Sequence, residues 1–373
     1  MSTRAETAAR RLWQSLRLPR DTSKILTDPH FHTEAFCRLY LDGCDDLLFS
    51  CPAEGLVAAR VAPPLVLKLP PSPARHNLQV LALALLGGAY RATGNLFEAA
   101  SVYPLAFEVA DSETLAPEIL GDLYRRYSIL LTDQGRFEEA EAMVRRAVQA
   151  FEPLEPGKGD FHLGSAILQR GSLRLHQERF AEAIDDFGMA LGTLDPKRNR
   201  RSYYAAAHNL AAALALAPEL AYVNQATRWL RFARGLQKGE RSSLARFKLY
   251  CIEAEVLEKV GSTRRAQKNL QIARKGFERI GALHELALVS LQLAILLHGE
   301  GHFEELRQIT DETVALCQEK GLETEALALL GHWQQATRQS LISLSMLEGL
   351  ARDLKDFFAR HERASLFGEP GRM

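Results

Sequence analysis

Residues 87–106 read GGAYRATGNLFEAASVYPLA, and this stretch contains the pattern that decides the fold. Small and large residues follow one another in a fixed order: Gly87, Tyr90, Gly94, Ala99, Tyr103 and Ala106. Apolar residues three and four apart predict one helix before Gly94 and another after it, with the glycine in the turn. The alanines would let the two backbones approach closely. The stretch therefore predicts a helical hairpin.

The same order of residues recurs along the chain. It returns in SILLTDQGRFEEAEAMVRRA at 128–147 and in AEVLEKVGSTRRAQKNLQIA at 254–273. Weaker copies occupy 171–190, 208–233 and 292–309, and a degenerate copy begins near Thr33. The small position early in each second helix recurs every 40 to 44 residues, at Gly55, Ala99, Ala140, Ala183, Ala226, Ala266 and Leu306. The sequence thus predicts about seven hairpins.

This pattern resembles the tetratricopeptide repeat family, and in particular its long-period, bacterial-type members. The family signature has small residues at the eighth, twentieth and twenty-seventh positions and a large apolar residue at the eleventh. The resemblance covers roughly residues 33–317 and implies an all-α fold, an α-solenoid in a right-handed superhelix, with a concave face lined by first helices. Because the family repeats about every 34 residues, either the helices or the linkers here must be longer.

The chain divides by pattern into four predicted segments. These are an N-terminal helix or cap at 1–29, the solenoid at 30–322, C-terminal capping helices at 323–362 and a flexible tail at 363–373. Apolar residues three and four apart near the C-terminus have the spacing of a helix seam: Leu344, Leu347, Ala351, Leu354 and Phe358. A solenoid needs its last apolar face covered, so a cap is favoured, and a homodimer through this helix stays open.

Composition excludes several classes of protein. The chain has 373 residues, 47% hydrophobic residues and zero formal net charge, which fits a folded protein and argues against a globally basic nucleic-acid binder. The longest apolar run, Val80–Tyr90, has 11 residues, fewer than the roughly 18 of a membrane span. We expect no membrane contact and a cytoplasmic location, where the five cysteines would stay reduced.

Four potential metal ligands stand seven residues apart: His30, Cys37, Cys44 and Cys51. If residues 30–49 form one helix, a seven-residue spacing separates successive sulfurs by about 10 Å, too far to share one Zn²⁺. We therefore interpret the cysteines as a buried helix seam and expect no metal and no cofactor. Catalytic signatures such as a phosphate-binding glycine loop are also missing from the sequence, so we expect no enzyme activity.

The resemblance also implies a binding surface on the first helices. Carried over residue by residue, its concave positions are Arg91, Arg125, Gln169, His208, Asn209, Lys248, Glu255 and Gln292. Such side chains can hydrogen-bond an extended peptide. Asn209 and Lys248 match positions used by carboxylate-binding members, but Leu168, Ser172 and Ile252 stand at the others, so we expect no complete carboxylate clamp.

A basic region forms a second candidate surface. Residues 196–279 contain 18 Lys and Arg against 6 Asp and Glu, whereas residues 280–330 contain 2 against 9. We define the basic flank as Arg228, Arg231, Arg234, Arg264, Arg265 and Lys268. A solvated outer face, an acidic protein partner, nucleic acid and head-to-tail self-association all remain open for it. Trp229 and Phe232 lie between these cations, where we expect core packing.

Taken together, the sequence favours a non-catalytic scaffold or adaptor that binds a protein or peptide in the concave groove. Two alternatives stay open. One is a peptide- or ligand-responsive regulator that acts through an effector partner. The other is nucleic-acid binding through residues 196–279, for which affinity should fall steeply with salt.

Overall fold

The computed structural model describes residues 4–16, 21–93, 95–112, 115–154, 160–236, 243–322 and 324–364, and it divides into two compact units. Unit 1 comprises the chain up to Gln177, together with the residues after His361, and contains α1 (Arg4–Ser15), α2 (Thr22–Thr27), α3 (Glu34–Ser50), α4 (Pro52–Val66), α5 (Pro73–Ala92), α6 (Leu96–Asp111), α7 (Pro117–Asp133), α8 (Phe137–Phe151) and α9 (Asp160–His176). Unit 2 begins at Glu178 and contains α10 (Phe180–Thr193), α11 (Arg200–Leu216), α12 (Val223–Leu236), α13 (Ser243–Lys259), α14 (Thr263–Ile280), α15 (Leu283–Gly299), α16 (Phe303–Glu319), α17 (Thr324–Arg338) and α18 (Leu344–Ala364).

The predicted helical repeat is confirmed. Counted along the described residues, α3 to α16 are fourteen successive helices, and no residue there forms a strand. The packed pairs in unit 1 are α3–α4, α5–α6 and α7–α8, and those in unit 2 are α11–α12, α13–α14 and α15–α16. The residues in the recurring small position are all buried, five of them as alanines with 0% exposure: Ala99, Ala140, Ala183, Ala226 and Ala266. A side chain no larger than a methyl group lets paired helices pack with their backbones close together.

The long period comes from helices and linkers together. The helix α13 has 17 residues and α14 has 18, and only residues 281 and 282 separate α14 from α15. In the copy with extra residues around Pro218, the insertion forms a 3₁₀ turn at Leu220–Tyr222 between α11 and α12. Other linkers are longer, since six residues separate α4 from α5 and six separate α10 from α11. The period therefore reflects long helices in some repeats and long linkers in others, with one lengthened turn.

Left-handed turn residues end the first helix of several pairs. Gly135, Gly261 and Gly301 have φ between 64° and 76°, a conformation that glycine adopts without steric cost. Glu178, which stands where the sequence pattern expects glycine, adopts φ 58° all the same. The geometry of the turn is thus kept even where the residue type is not. The corresponding Gly94 lies outside the described residues.

The first helix of the first pair starts later than the sequence predicted. Residues Pro29–Phe31 form a 3₁₀ turn, and α3 begins at Glu34 because the Thr33 hydroxyl accepts a hydrogen bond from the Phe36 backbone N–H at 3.3 Å. Cys37 and Cys44 are fully buried in α3, and burial raises the pKa of each thiol to about 12. Cys51 instead lies between α3 and α4, at the residue before α4 begins, so it does not belong to that seam.

Helices at both ends cover the terminal pairs of their units. In unit 1, α1 packs on α3 with Trp13 edge-on to Tyr40, at a centroid distance of 6.0 Å. In unit 2, α18 buries Leu347, Leu350 and Leu354 in the same core as Trp333 of α17. The Phe358 side chain and residues 365–373 of the expected tail lie outside what the structure describes. Nowhere in the described ranges is a helix long and apolar enough to cross a membrane.

Glycines under aromatic rings allow the closest helix contacts. A Cβ added at Gly276 of α14 would stand 2.3 Å from two ring atoms of Phe247 in α13, and one at Gly121 of α7 would stand 2.4 Å from Phe151 in α8. Real Cβ atoms do not approach a ring so closely, and both rings are buried. These pairs of helices are therefore held at distances that only glycine permits.

We expect Gly276→Ala to lower the free energy of unfolding by about 1 to 3 kcal/mol, because the methyl group must displace the Phe247 ring in a packed core. Urea unfolding followed by circular dichroism measures the change. The matched control is Gly188→Ala on α10, where nothing lies within 4 Å of the added atom. Since alanine has the higher helix propensity, that control should stabilise the protein by about 0.5 to 1 kcal/mol. Equal effects at the two positions would contradict the packing argument.

Candidate functional site

The eight residues predicted to line the concave face fall into both units. Arg91, Arg125 and Gln169 lie in unit 1, and the other five lie in unit 2. The three in unit 1 bond to neighbouring side chains. Arg91 pairs with Asp133 at 2.8 Å, Arg125 with Asp122 at 2.5 Å, and the Gln169 amide donates to the Thr132 hydroxyl at 3.3 Å. Hence the first helices α5, α7 and α9 are joined through their own polar groups.

Arg126 of α7, which the sequence did not single out, joins three parts of unit 1. Its Nε donates to Asp122 at 2.6 Å, and its two Nη atoms donate to the two Asp45 oxygens on α3 at 3.0 and 2.5 Å. A Cβ added at Gly88 of α5 would lie 3.8 Å from Arg126 Nη1, so the guanidinium passes beside this glycine. The Arg126 side chain is only 18% exposed. It acts as a staple across successive first helices.

Opposed effects act on the carboxyl group of Asp122. Burial alone would raise its pKa, but the charges of Arg125 and Arg126 and their hydrogen bonds outweigh burial and hold the pKa well below its usual range. Burial alone would lower the pKa of Arg126, but Asp122 and Asp45 outweigh burial and raise this pKa above its ordinary value. Asp45, Asp122, Arg125 and Arg126 therefore form an ionised cluster whose charges are paired with one another. We assign it a structural role rather than a role in binding.

The five predicted residues of unit 2 come from three helices, α11, α13 and α15, and polar side chains join α13 to α15. On α11, His208 Nδ1 lies 3.2 Å from Asn209 Oδ1. Lys248 of α13 pairs with Glu285 of α15 at 3.1 Å. Also between α13 and α15, the Gln292 amide donates to Glu255 at 2.5 Å. We call this surface the polar face of unit 2, defined by His208, Asn209, Lys248, Glu255, Glu258, Glu285 and Gln292.

Glu258, three residues after Glu255, was missed by the sequence analysis. Burial, and next the charge of Glu255, raise the pKa of its carboxyl to about 7. Its Oε1 atom is shielded from solvent and has no hydrogen-bond partner among the described residues. The spacing of three placed it on the same helix side as Glu255, which was the available signal. A carboxylate in this situation costs stability unless something bonds to it.

Two further groups on the polar face have altered pKa values. Burial raises the pKa of Glu255, although Lys355, Lys259 and the hydrogen bond from Gln292 oppose the rise. Burial lowers the pKa of His208, which favours the neutral ring, and Asn209 opposes that shift. The His208 Nε2 atom is buried and has no partner among the described residues. The face thus holds buried polar atoms that the described residues leave without a hydrogen bond.

The basic flank is less uniform than the sequence suggested. Arg234 is bonded to Glu253 and lies over the Tyr250 ring at 5.1 Å from its centroid. The other five cations are exposed and form no ion pair within the part of the chain that the structure describes: Arg228, Arg231, Arg264, Arg265 and Lys268. Phe232 is 41% exposed, so the expectation of core packing is wrong for this residue.

Two observations concern the groups that metal binding or nucleophilic catalysis would use. The described residues contain no group of three or more His, Cys, Asp or Glu side chains that could hold a metal ion. Burial raises the pKa of the Cys251 thiol beside the polar face to about 12, which leaves the thiol protonated and a poor nucleophile. What the polar face can do is donate and accept hydrogen bonds.

Comparisons with known proteins identify the fold. No protein-family model matches the sequence, and no curated protein sequence matches it either. Among solved structures, a Rap protein complexed with Competence and Sporulation Factor aligns with a TM-score of 0.63 at 12% identity, over 90% of this chain and 95% of that chain. The Rap conjugation gene regulator of the plasmid pLS20, in complex with the Phr* peptide, aligns with a TM-score of 0.51 at 12% identity, over 90% and 99%. At these identities the likeness is one of fold, and the chain has a tetratricopeptide-like α-solenoid fold.

Proposed function

We propose that this protein binds a peptide, or an extended segment of a partner protein, on the polar face of unit 2, and that it carries out no chemistry of its own. The observation that carries the proposal is the buried carboxylate oxygen of Glu258 beside Glu255, which has no hydrogen-bond partner in the part of the chain that the structure describes. Natural proteins rarely keep such a group without a use, since burying it unpaired is costly. A bound ligand would supply the missing donor.

The chemistry of the face matches that of an extended chain. Asn209 and Lys248 can donate hydrogen bonds to carbonyl or carboxylate oxygens, whereas Glu255 and Glu258 can accept them from N–H groups. An extended peptide presents both kinds of group at regular intervals, because its backbone is not bonded to itself. The fold supports the same proposal, since the pLS20 regulator with a similar fold was solved with the Phr* peptide bound.

A second candidate is a regulatory protein that changes its affinity for an effector partner when the peptide binds. It is favoured by the likeness of fold to a conjugation gene regulator. Binding at the polar face would bridge α11, α13 and α15, and so would favour one arrangement of these helices over others. This candidate uses the same peptide site, so the experiment on the site tests both.

We expect selection from a displayed library of random linear peptides to enrich sequences that bind the wild-type protein. Affinity for a synthetic peptide of enriched sequence, measured by calorimetry, should fall about tenfold or more in Lys248→Ala and in Glu255→Gln, because each loses a charged hydrogen bond. The control is Lys275→Ala, an exposed cation on α14 that lies away from the polar face.

Two results would overturn the proposal. One is a selection that enriches nothing above a library passed over empty support. The other is an enriched peptide that binds Lys248→Ala, Glu255→Gln and Lys275→Ala as tightly as wild type. Circular dichroism spectra of all three variants should match the wild-type spectrum, so that a loss of affinity reports on binding rather than folding.

A further inference from the structure

A depression of about 390 Å³ opens near the end of α12, and we call it the basic depression. It is lined by Arg228, Arg231, Phe232, Gly235 and Leu236. The Phe232 ring is held in place by edge-to-face contacts with Trp229 at 5.3 Å and Tyr203 at 6.3 Å. It therefore presents a fixed apolar surface beside two guanidinium groups that have no ion pair among the described residues.

The start of α16 has the opposite character, and we call it the acidic corner: Phe303, Glu304 and Glu305. Phe303 is 52% exposed although it is a large apolar residue. The Glu304 side chain is 87% exposed and only loosely paired with Arg307, at 3.6 Å. Glu305 is exposed and has no ion pair within the described ranges. An aromatic ring flanked by carboxylates is thus the counterpart of the basic depression.

Within one molecule the two surfaces lie at opposite edges of unit 2. Phe303 directly follows the turn inside the α15–α16 pair, whereas Phe232 lies at the end of α12, next to the linker between pairs. In a stack of antiparallel helix pairs, the turns inside pairs lie along one edge and the linkers between pairs lie along the other. A chain cannot therefore place its own acidic corner in its own basic depression.

We propose that the basic depression binds the acidic corner of a second copy of this chain, with Phe303 inserted against Phe232 and Glu305 paired with Arg228 and Arg231. The contact is heterologous, so each molecule uses one surface on each neighbour and the assembly grows head to tail. Aromatic rings contribute area, and the opposite charges steer and orient the encounter. This inference does not depend on the peptide site, which lies on other helices.

Sedimentation velocity of the full chain tests the proposal with two variants. One is Arg231→Ala with Phe232→Ala, and the other is Phe303→Ala with Glu305→Ala. All four residues are exposed, so both variants should fold. We expect the wild type to form dimers and larger species as its concentration rises, and each variant alone to stay monomeric. An equimolar mixture of the two variants should form a dimer and nothing larger, because one intact surface remains on each.

Salt and a space-filling variant complete the test. Raising the ionic strength from about 0.01 M to about 1 M shortens the Debye length from about 30 Å to about 3 Å and should dissociate the wild-type assembly. Gly235 lines the depression, and a Cβ added there would meet no atom within 4 Å. We expect Gly235→Phe to narrow the depression without changing the charge and also to give monomers.

Four outcomes would overturn the proposal: a wild type that is monomeric at every concentration, oligomers that survive in either double variant, a mixture that does not dimerise, and oligomers that nuclease treatment disperses. The second would indicate another interface, such as the C-terminal helix. The last would indicate nucleic acid as the occupant of the basic surface.

Discussion

Replacing Arg126 with leucine should lower the free energy of unfolding by about 3 to 5 kcal/mol, the largest effect we expect from any single change in this protein. The substitution removes both hydrogen bonds to Asp45 and the one to Asp122, and it leaves the Asp122 side chain, 11% exposed, with one cation fewer. Arg125 still neutralises Asp122 in part, which sets the lower end of the range. Urea unfolding at pH 7 measures the difference.

The pH dependence of stability should change in the same variant. The pKa of Asp122 is lower in the folded chain than in the unfolded chain, so its contribution is present above the unfolded value and is lost as the pH falls through the folded value. In Arg126→Leu the pKa of Asp122 is less depressed, and this contribution shrinks. The variant should therefore lose less stability than the wild type between about pH 5 and about pH 2.

The control for Arg126 is Arg136→Leu. Arg136 also forms a short ion pair, at 2.5 Å to Glu139, but both side chains are largely exposed, at 42% and 57%. Exposed pairs contribute at most about 1 kcal/mol, so this variant should stay close to the wild type. Adding Asp122→Asn to Arg126→Leu should recover part of the loss, because it removes the buried charge left behind. Similar losses of unfolding free energy in Arg126→Leu and Arg136→Leu would contradict a structural role for Arg126 between the first helices.

The fold could be predicted from the sequence because its determinants are local. A residue such as Ala140 is small because its helix packs closely against the helix that comes just before it in the sequence. The same need for a small residue recurs once in each repeat along the chain. The turn at Glu178 could be predicted even though Glu178 replaces the expected glycine, because Ala183 occupies the small position that follows the turn. The length of the helices, by contrast, depends on where each turn forms, and the spacing of the slots alone did not separate helices from linkers.

The candidate site was predictable only in part, and for a physical reason. Arg126 and Asp45 lie 81 residues apart, and the sequence around either residue does not indicate that the two side chains pair. Arg91 and Lys248 were both predicted from first-helix positions that face the groove in the family, yet Arg91 bonds to Asp133 in unit 1 while Lys248 belongs to the polar face of unit 2. A position in a repeat predicts which side of a helix a residue occupies. It does not predict which partners the neighbouring repeats supply.

Replacing Glu258 with glutamine should stabilise the protein at pH 8 by about 2 kcal/mol, although the change removes a charged residue. The pKa of Glu258 is about 7 in the folded chain, against an ordinary value of 4.5 for a glutamate side chain. The folded state therefore holds this proton more tightly than the unfolded state. The resulting stability is fully present below about pH 4.5 and is lost as the pH rises through 7. Glutamine keeps the shape without the charge, so the gain should vanish at about pH 4.

Urea unfolding of the wild type and Glu258→Gln at about pH 4, 6 and 8 gives the difference in unfolding free energy at each pH. The control is Glu278→Gln, since Glu278 is an exposed residue on α14. The control should change stability by less than about 0.5 kcal/mol at each pH. If Glu258→Gln is as stable as wild type at pH 8, the carboxylate is not buried at a cost, and the main support for a ligand at the polar face is lost. A variant that is more stable but binds the selected peptide more weakly would show a residue kept for binding at the expense of stability.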